Sequence, residues 1–166
     1  MKFGRINVSE AEGAILAHSL RSDAGVFKKG RVLSADDIAA LASAGVERVM
    51  AAQLESADVP EDAAAKRIAD ALAGPGATVA AAFTGRCNLM AEAEGLLVVD
   101  ATRVDALNLI DETVTVATLP PHERVVARQM LATVKIIPLA APETSVAKAE
   151  ALGPLLRVAP FTAKKV

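Results

Sequence analysis

The stretch Thr113-Val114-Thr115-Val116-Ala117-Thr118-Leu119 decides the fold class. β-Branched residues dominate it, and such residues favour strands. From Thr113 to Val116 polar and apolar side chains alternate strictly. Successive side chains of a strand point to opposite faces, so the pattern predicts a strand with one face in solvent and one against a core.

Other strand candidates surround this stretch. Apolar segments lie at residues 79–83, 95–99, 131–137 and 155–161. Between them, Asp100 is predicted to cap a short helix whose inner face carries Val104, Leu107 and Ile110. A weaker helix is predicted over roughly residues 143–152. This half of the chain is therefore predicted to be rich in strands.

The front of the chain is predicted to combine short strands with one clear helix. Strands are expected near residues 15–17, 26–27, 32–33 and 46–50. Ser34 and Asp37 have the spacing of a capping box, which predicts that a helix begins there. Gly45 is expected to end that helix, because glycine accepts the left-handed conformation of a helix stop.

A second helix is predicted to begin at Asp58, paired with Glu61 as another capping box. Its buried face would carry Ala64, Ala65, Ile68 and Leu72, and Gly74-Pro75-Gly76 would end it. We take this Gly-Pro-Gly turn as the domain boundary. The predicted fold class is α/β in the broad sense, and more specifically α+β. A small β-rich N-terminal lobe carrying helices (residues 1–74) is predicted to precede a strand-rich lobe with a mixed sheet (residues 77–166).

Composition argues against several classes of protein. The 166 residues contain 18 basic and 20 acidic side chains, without a basic stripe, and neither Trp nor Tyr. Binding of nucleic acid through phosphate contacts or base stacking is therefore not expected. A single cysteine excludes an internal disulfide and a cysteine-rich zinc cluster, and no metal site is expected. No apolar run approaches the length of a membrane span, so we expect a cytoplasmic protein.

Common catalytic signatures are missing. The sequence has no phosphate-binding loop, no dinucleotide fingerprint and no nucleophile elbow. Cys87 could pair in space with His18 or His122, but a lone cysteine between apolar strands is more often a core residue. We therefore do not expect this chain to be catalytic by itself.

The most unusual stretch is Thr84-Gly85-Arg86-Cys87-Asn88, which we interpret as a loop after an apolar strand. Such a loop could offer a guanidinium group and backbone N–H groups to an anion. It could equally be an exposed turn whose Asn and Arg hydrogen-bond to neighbouring backbone. We take Thr84, Arg86 and Asn88 as candidate ligand-binding residues.

Lys135 and Asn108 complete the candidate group. Lys135 shares one strand face with Thr133, where it either extends into solvent, protects a sheet edge, or meets an acid or an anion. Asn108 lies between Leu107 and Leu109 and shares a helix face with Asp105 and Glu112. That face is solvated, equipped for acid–base chemistry, or able to hold a metal ion, and a solvated face is the commoner case.

Several blocks resemble the N-terminal region of bacterial MoeA-like molybdopterin-binding proteins. The most specific blocks are Gly85-Arg86-Cys87-Asn88-Leu89 and Ala132-Thr133-Val134-Lys135-Ile136-Ile137-Pro138. Weaker matches lie at residues 12–19, 28–34, 44–49, 95–100, 105–108 and 117–120. The resemblance covers most of the chain.

The resemblance implies an accessory domain in molybdenum cofactor biosynthesis. In that family a Mog-like molybdopterin-binding domain follows this region, and a nucleotidyltransferase domain sometimes follows that. The implied cofactor of the parent protein is molybdopterin, and the implied partner is the downstream Mog-like domain, which this region would orient or dimerise. Two alternatives stay open: a stand-alone enzyme using Arg86, Asn108 and Lys135 on an organic anion, and a purely structural interaction module.

Overall fold

The computed structural model describes residues 1–162 and divides the chain into two compact units. The first is Met1–Asp58 and the second begins at Val59. Four α-helices and several small antiparallel sheets lie within the described residues. The predicted α+β fold class is confirmed.

The first unit is a three-stranded antiparallel sheet with one helix and a short hairpin. Along the chain it contains β1 (Lys2–Asn7), a 3-10 turn (Val8–Glu10), β2 (Ile15–Leu16), β3 (Leu20–Ser22), β4 (Gly25–Phe27), α1 (Ala35–Ser43) and β5 (Arg48–Gln53). The sheet has the order β1-β5-β2, and β3 pairs with β4. Its core includes Leu16, Leu33 and Leu41, each no more than 1% exposed.

Helix α1 begins as the sequence predicts. The Ser34 hydroxyl accepts a hydrogen bond from the Asp37 N–H (3.3 Å), and the Asp37 carboxylate accepts one from the Ser34 N–H (3.2 Å). The capping box is therefore confirmed. The largely buried Asp37 carboxylate also binds the Arg31 guanidinium, with Nη2 lying 2.6 Å from Oδ1.

The second unit contains most of the strands and three helices among the described residues. Its elements are β6 (Asp58–Pro60), α2 (Glu61–Leu72), β7 (Ala77–Val79), β8 (Arg86–Ala91), β9 (Gly95–Val99), α3 (Ala101–Asn108), β10 (Val114–Thr118), β11 (Arg124–Val125), β12 (Met130–Ile136), β13 (Ala140–Pro142), α4 (Glu143–Glu150) and β14 (Leu156–Pro160). Strand β6 begins at the last residue of the first unit and pairs with β13.

Two antiparallel sheets form the body of the second unit. Their orders are β10-β12-β8-β7 and β11-β9-β14. Strand β10 shows the predicted alternation, since Val114 and Val116 are buried while Thr115 and Ala117 are exposed. The Asp100 cap of α3 is also confirmed, because its side chain accepts a hydrogen bond from the Arg103 N–H.

The expected start of the second helix was wrong. Helix α2 begins at Glu61 behind Pro60, and no side chain caps it. Asp58 lies in β6 instead, where its carboxylate contacts the N-terminal amine of Met1 at 2.7 Å and accepts a hydrogen bond from the Glu55 N–H at 2.8 Å. A carboxylate already held by these two groups does not cap the helix.

The boundary between the units lies at Asp58–Val59, not at the expected Gly-Pro-Gly turn. The predicted apolar face of α2 is buried, but it packs into the same core as Leu89 and Val134 of the second unit. The Gly74-Pro75-Gly76 turn is internal to that unit, because the Gly74 N–H donates to the Leu156 carbonyl (2.8 Å). The helix therefore belongs to the second unit.

Helix α2 is tied closely to the segment around α4. The Arg67 guanidinium binds Glu143 and Glu150, with nitrogen–oxygen distances of 2.7 and 2.8 Å. At the end of α4 the chain passes so close to α2 that a Cβ atom added at Gly153 would lie 1.9 Å from the Ala71 carbonyl oxygen. Only glycine fits this approach.

Candidate functional site

The outward face of the four-stranded sheet carries a grid of polar side chains. The opposite face of this sheet packs against helix α2 in the core. It includes Cys87, Leu89, Val134 and Ile136. Facing outward are Arg86, Asn88, Thr115, Thr133 and Lys135, which we call the polar face. Together with Ala117 and Met130, these residues line a shallow concavity of about 520 Å³.

Strand register arranges the polar face in rows. Lys135 is the direct cross-strand partner of both Thr115 and Arg86, and these three residues form the first row. Thr133 is likewise opposite both Ala117 and Asn88, which form the second row. The rows are two residues apart along each strand, or roughly 7 Å.

Two positive charges oppose each other in the first row. Like charges directly opposite on neighbouring strands destabilise the pair. Within residues 1–162 the Arg86 side chain makes no hydrogen bond or ion pair, and it is exposed. The Lys135 ammonium group donates one hydrogen bond to the Thr84 carbonyl (2.6 Å) and carries two further N–H groups. This row can therefore hold an anion between a guanidinium and an ammonium group.

Thr84 takes part through its backbone. Thr84 and Gly85 have positive φ angles of 49° and 69°, and Phe83 and Arg86 exchange both backbone hydrogen bonds, at 2.9 and 3.1 Å. This is the geometry of a two-residue hairpin turn in which both central residues have the left-handed backbone conformation. The expected loop over residues 84–88 is therefore wrong: it is a tight turn followed by strand β8.

The backbone N–H of Gly85 does not face the concavity. It donates to the Asp62 carboxylate at 2.7 Å, in the first turn of α2 on the other side of the sheet. A Cβ atom at Gly85 would lie 2.8 Å from the Ile136 carbonyl oxygen. Gly85 thus allows the hairpin to pack tightly, while the anion donors of the site are side chains.

Two oxygen atoms of the second row lack hydrogen-bond partners. Asn88 Oδ1 and Thr133 Oγ1 are covered from solvent and are unpaired among the described residues. A buried polar atom without a partner costs about 1–3 kcal/mol. Because both side chains also line the concavity, this row is left with unmet hydrogen-bonding capacity at the candidate site.

Asn108 does not belong to the group. Its side-chain amide binds both backbone polar groups of Val116 on the edge strand β10. Asp105 and Glu112 are exposed, as a solvated helix face predicts. Of the predicted site residues, the structure brings together Arg86, Asn88 and Lys135, adds the Thr84 carbonyl, and leaves out Asn108.

Sequence reasoning missed Thr115 and Thr133 as members of the site. The signal was present in the alternating pattern of both strands, which placed each threonine on the solvent side. The pattern does not reveal that β12 pairs with both β10 and β8, because strand pairing depends on residues distant in sequence. Only that pairing puts both threonines beside Arg86 and Lys135.

Cys87 points to the core side of β8. It is fully buried, and its thiol donates a weak hydrogen bond to the Ala80 carbonyl (3.3 Å). Burial raises the pKa of the thiol, so the neutral form is favoured. His18 and His122 are both exposed. Cys87 is thus a core residue in this fold.

The described residues contain neither a metal-binding cluster nor a membrane-spanning helix. No three His, Cys, Asp or Glu side chains within residues 1–162 are grouped so that they could hold a metal ion. No helix in the same range is long and apolar enough to cross a membrane.

Comparison with known proteins gives one match. A family model described as a domain of unknown function (DUF8806) matches residues 5–53, which lie inside the first unit. No curated protein and no solved structure matches the chain. The polar face lies entirely outside the matched residues.

Proposed function

We propose that the polar face binds the phosphate or another anionic group of a small organic ligand. The observation that carries this proposal is the direct cross-strand pairing of Arg86 with Lys135 on an outward, concave sheet face. A protein that places two cations opposite each other loses stability when they face nothing but each other. An anion bound between them removes that repulsion.

The two side chains suit such a ligand in different ways. Arg86 offers a planar fork of donors that matches two oxygens of a phosphate or carboxylate. Lys135 offers a point charge whose position is set by its hydrogen bond to the Thr84 carbonyl. The Thr115 hydroxyl in the same row can donate to a third oxygen. Together they supply the several donors that an exposed anion needs, because a single charge contact in water contributes only about 1 kcal/mol.

We further propose that the chain is an accessory part of a molybdopterin-binding protein in molybdenum cofactor biosynthesis. Support comes from the position of the two most specific blocks of the resemblance. Residues 85–89 and 132–138 cover most of the adjacent strands β8 and β12, which carry Arg86 and Lys135. Molybdopterin carries a phosphate, and this would be the group that the first row holds. A Mog-like domain in the same polypeptide would supply the pterin-binding loops.

Binding of molybdopterin under anaerobic conditions tests both statements. Arg86→Gln and Lys135→Gln replace the cation with a shorter, neutral polar side chain, and each should weaken binding about tenfold or more. Arg157→Gln, an exposed arginine on strand β14, is the matched control and should bind as the parent chain does. Neither Gln variant should lower the melting temperature of the free chain, because removing one charge also removes the repulsion within the first row. Unchanged affinity in both Gln variants would overturn the proposal.

A further inference from the structure

We infer that the polar face recognises a second group on the same ligand: an N–H or O–H donor bound by Asn88 and Thr133, roughly 7 Å along the strands from the anion. The ligand class is then a phosphorylated, nitrogen-bearing heterocycle rather than a simple anion. This inference rests on the proposed function, because it assumes that the first row holds the anionic group.

The first argument is the chemistry of the unpaired atoms. Asn88 Oδ1 can only accept a hydrogen bond, so the partner that it lacks must be a donor. Thr133 Oγ1 can accept or donate and lies directly across the strand pair from Asn88. A phosphate or carboxylate has acceptor oxygens and cannot satisfy Asn88 Oδ1. The group bound in the second row is therefore chemically different from the anion in the first.

The second argument is the order of side chains along the strands. Beyond the second row, Met90 of β8 is paired with Met130 of β12, and Met130 is 48% exposed and lines the concavity. Methionine thioethers make favourable contacts with aromatic rings. Along β8 and β12 the face therefore passes from cations, through neutral polar groups, to thioethers. A ligand with an anionic end and a planar ring bearing N–H groups fits this order.

Access to the second row requires a side-chain movement. Asn88 Oδ1 and Thr133 Oγ1 are covered in the free chain, yet both residues stand on the outward sheet face. Binding in the second row therefore includes rotation of the Asn88 and Thr133 side chains towards the ligand. Changes of rotamer at a binding surface commonly accompany binding to an otherwise rigid backbone.

The test compares three probes with the intact chain: inorganic phosphate, benzyl phosphate, and a pterin that carries a phosphorylated hydroxymethyl group. Benzyl phosphate has a ring without N–H donors, so it isolates the contribution of the second row. The pterin phosphate should bind about tenfold more tightly than benzyl phosphate, because it alone satisfies the unpaired oxygens. Titration followed by NMR should shift the amide signals of β8 and β12.

Variants separate the two rows. Thr133→Val is nearly isosteric and removes only the hydroxyl, while Thr133→Ser keeps it. Thr133→Val and Asn88→Leu should each bring the affinity for the pterin phosphate down towards that for benzyl phosphate. Thr133→Ser should retain the preference. Arg86→Gln should instead weaken all three probes by a similar factor.

The outcomes distinguish the inference from the proposed function. If phosphate binding depends on Arg86 but the pterin phosphate and benzyl phosphate bind equally, the second-row inference is wrong and the proposed anion site stands. A preference that survives both Thr133→Val and Asn88→Leu also overturns the inference. If none of the probes binds, or if Arg86→Gln changes nothing, both proposals fail.

Discussion

The side-chain amide of Asn108 forms a two-hydrogen-bond ring with the backbone of Val116. Its Nδ2 donates to the Val116 carbonyl (2.9 Å), and its Oδ1 accepts from the Val116 N–H (2.8 Å). Val116 lies on β10, the edge strand of the four-stranded sheet, whose other side pairs with β12. The amide thus occupies the place that a further strand would take, and it pairs both backbone polar groups of Val116 on this sheet edge.

Removing this ring should destabilise the second unit. Asn108→Ala leaves the N–H and carbonyl of Val116 without their partner, and we expect a loss of about 1–3 kcal/mol in the free energy of unfolding. Asp105→Ala changes an exposed position of the same helix and should stay within about 0.5 kcal/mol of the parent chain. Urea unfolding followed by the amide signals of β10 and β12 measures both. Equal stability of the two variants would contradict the assigned role.

The hairpin turn at Thr84-Gly85 should respond in opposite directions to two substitutions. Thr84 has a positive φ, which disfavours a β-branched residue, whereas asparagine tolerates it and Asn-Gly is preferred in this turn. Thr84→Asn should therefore raise the free energy of unfolding by about 1 kcal/mol. Gly85→Ala should lower it by about 1–3 kcal/mol, through backbone strain and contact with the Ile136 carbonyl. Thermal melts that move in the same direction for both variants would rule out this turn geometry.

The capping box of α1 gives a prediction for the first unit. Ser34→Ala removes the hydroxyl that accepts the Asp37 N–H, and should cost about 1 kcal/mol of stability. Ser43→Ala, at the exposed end of the same helix, makes no comparable change and serves as the control. Thermal unfolding followed by amide signals of α1 and β5 compares the two. A Ser34→Ala melt that matches the control would argue against the cap.

Acid should destabilise the first unit through Asp37. The side-chain hydrogen bonds from Arg31, followed by that from the Ser34 N–H, hold the pKa of Asp37 below its ordinary value. A carboxyl group with a lowered folded-state pKa contributes stability above its unfolded pKa of about 4. That stability is lost as the pH falls through the lower folded value.

The matching measurement is urea unfolding of the first unit between pH 6 and pH 2. The free energy of unfolding should fall below about pH 4, and Arg31→Gln should make the fall shallower, because it removes the largest cause of the shift. A part of the acid dependence should remain, since the N-terminal amine lowers the pKa of Asp58 in the same unit. An identical pH profile for the parent chain and Arg31→Gln would show that the ion pair is not responsible.

Local chemistry predicted much of the secondary structure. The cap at Ser34, the cap at Asp100 and the alternation of β10 all depend on residues close together in sequence, and all are present. Strand β8 was not predicted, because Gly85 and the polar side chains beside it are typical of a loop. The alternation of Arg86, Asn88 and Met90 with apolar residues was nevertheless present in the sequence. The unit boundary was misplaced for a different reason. The sequence showed that α2 has an apolar face, but it did not show that this face packs into the core of the second unit.

The candidate site shows the same division. The pattern of β12 placed Thr133 and Lys135 on one face, whereas Arg86 was assigned to a loop. Register between distant strands makes Arg86 the neighbour of Lys135. Asn108 illustrates the opposite case. A polar residue on a helix face has the same sequence signature whether it binds a ligand or the backbone of an adjacent strand, and only the fold distinguishes the two.

The approach of Gly153 to the Ala71 carbonyl also constrains how this fold can diverge. Any side chain at residue 153 would collide with backbone, and a change of rotamer elsewhere cannot relieve that contact. Substitution of Gly153 is therefore possible only together with a change in the path of helix α2. A homologue either keeps glycine at this position or has a different arrangement of the helix and the turn after α4. In a homologue, a residue other than glycine at this position would indicate that the packing between α2 and the end of α4 has changed.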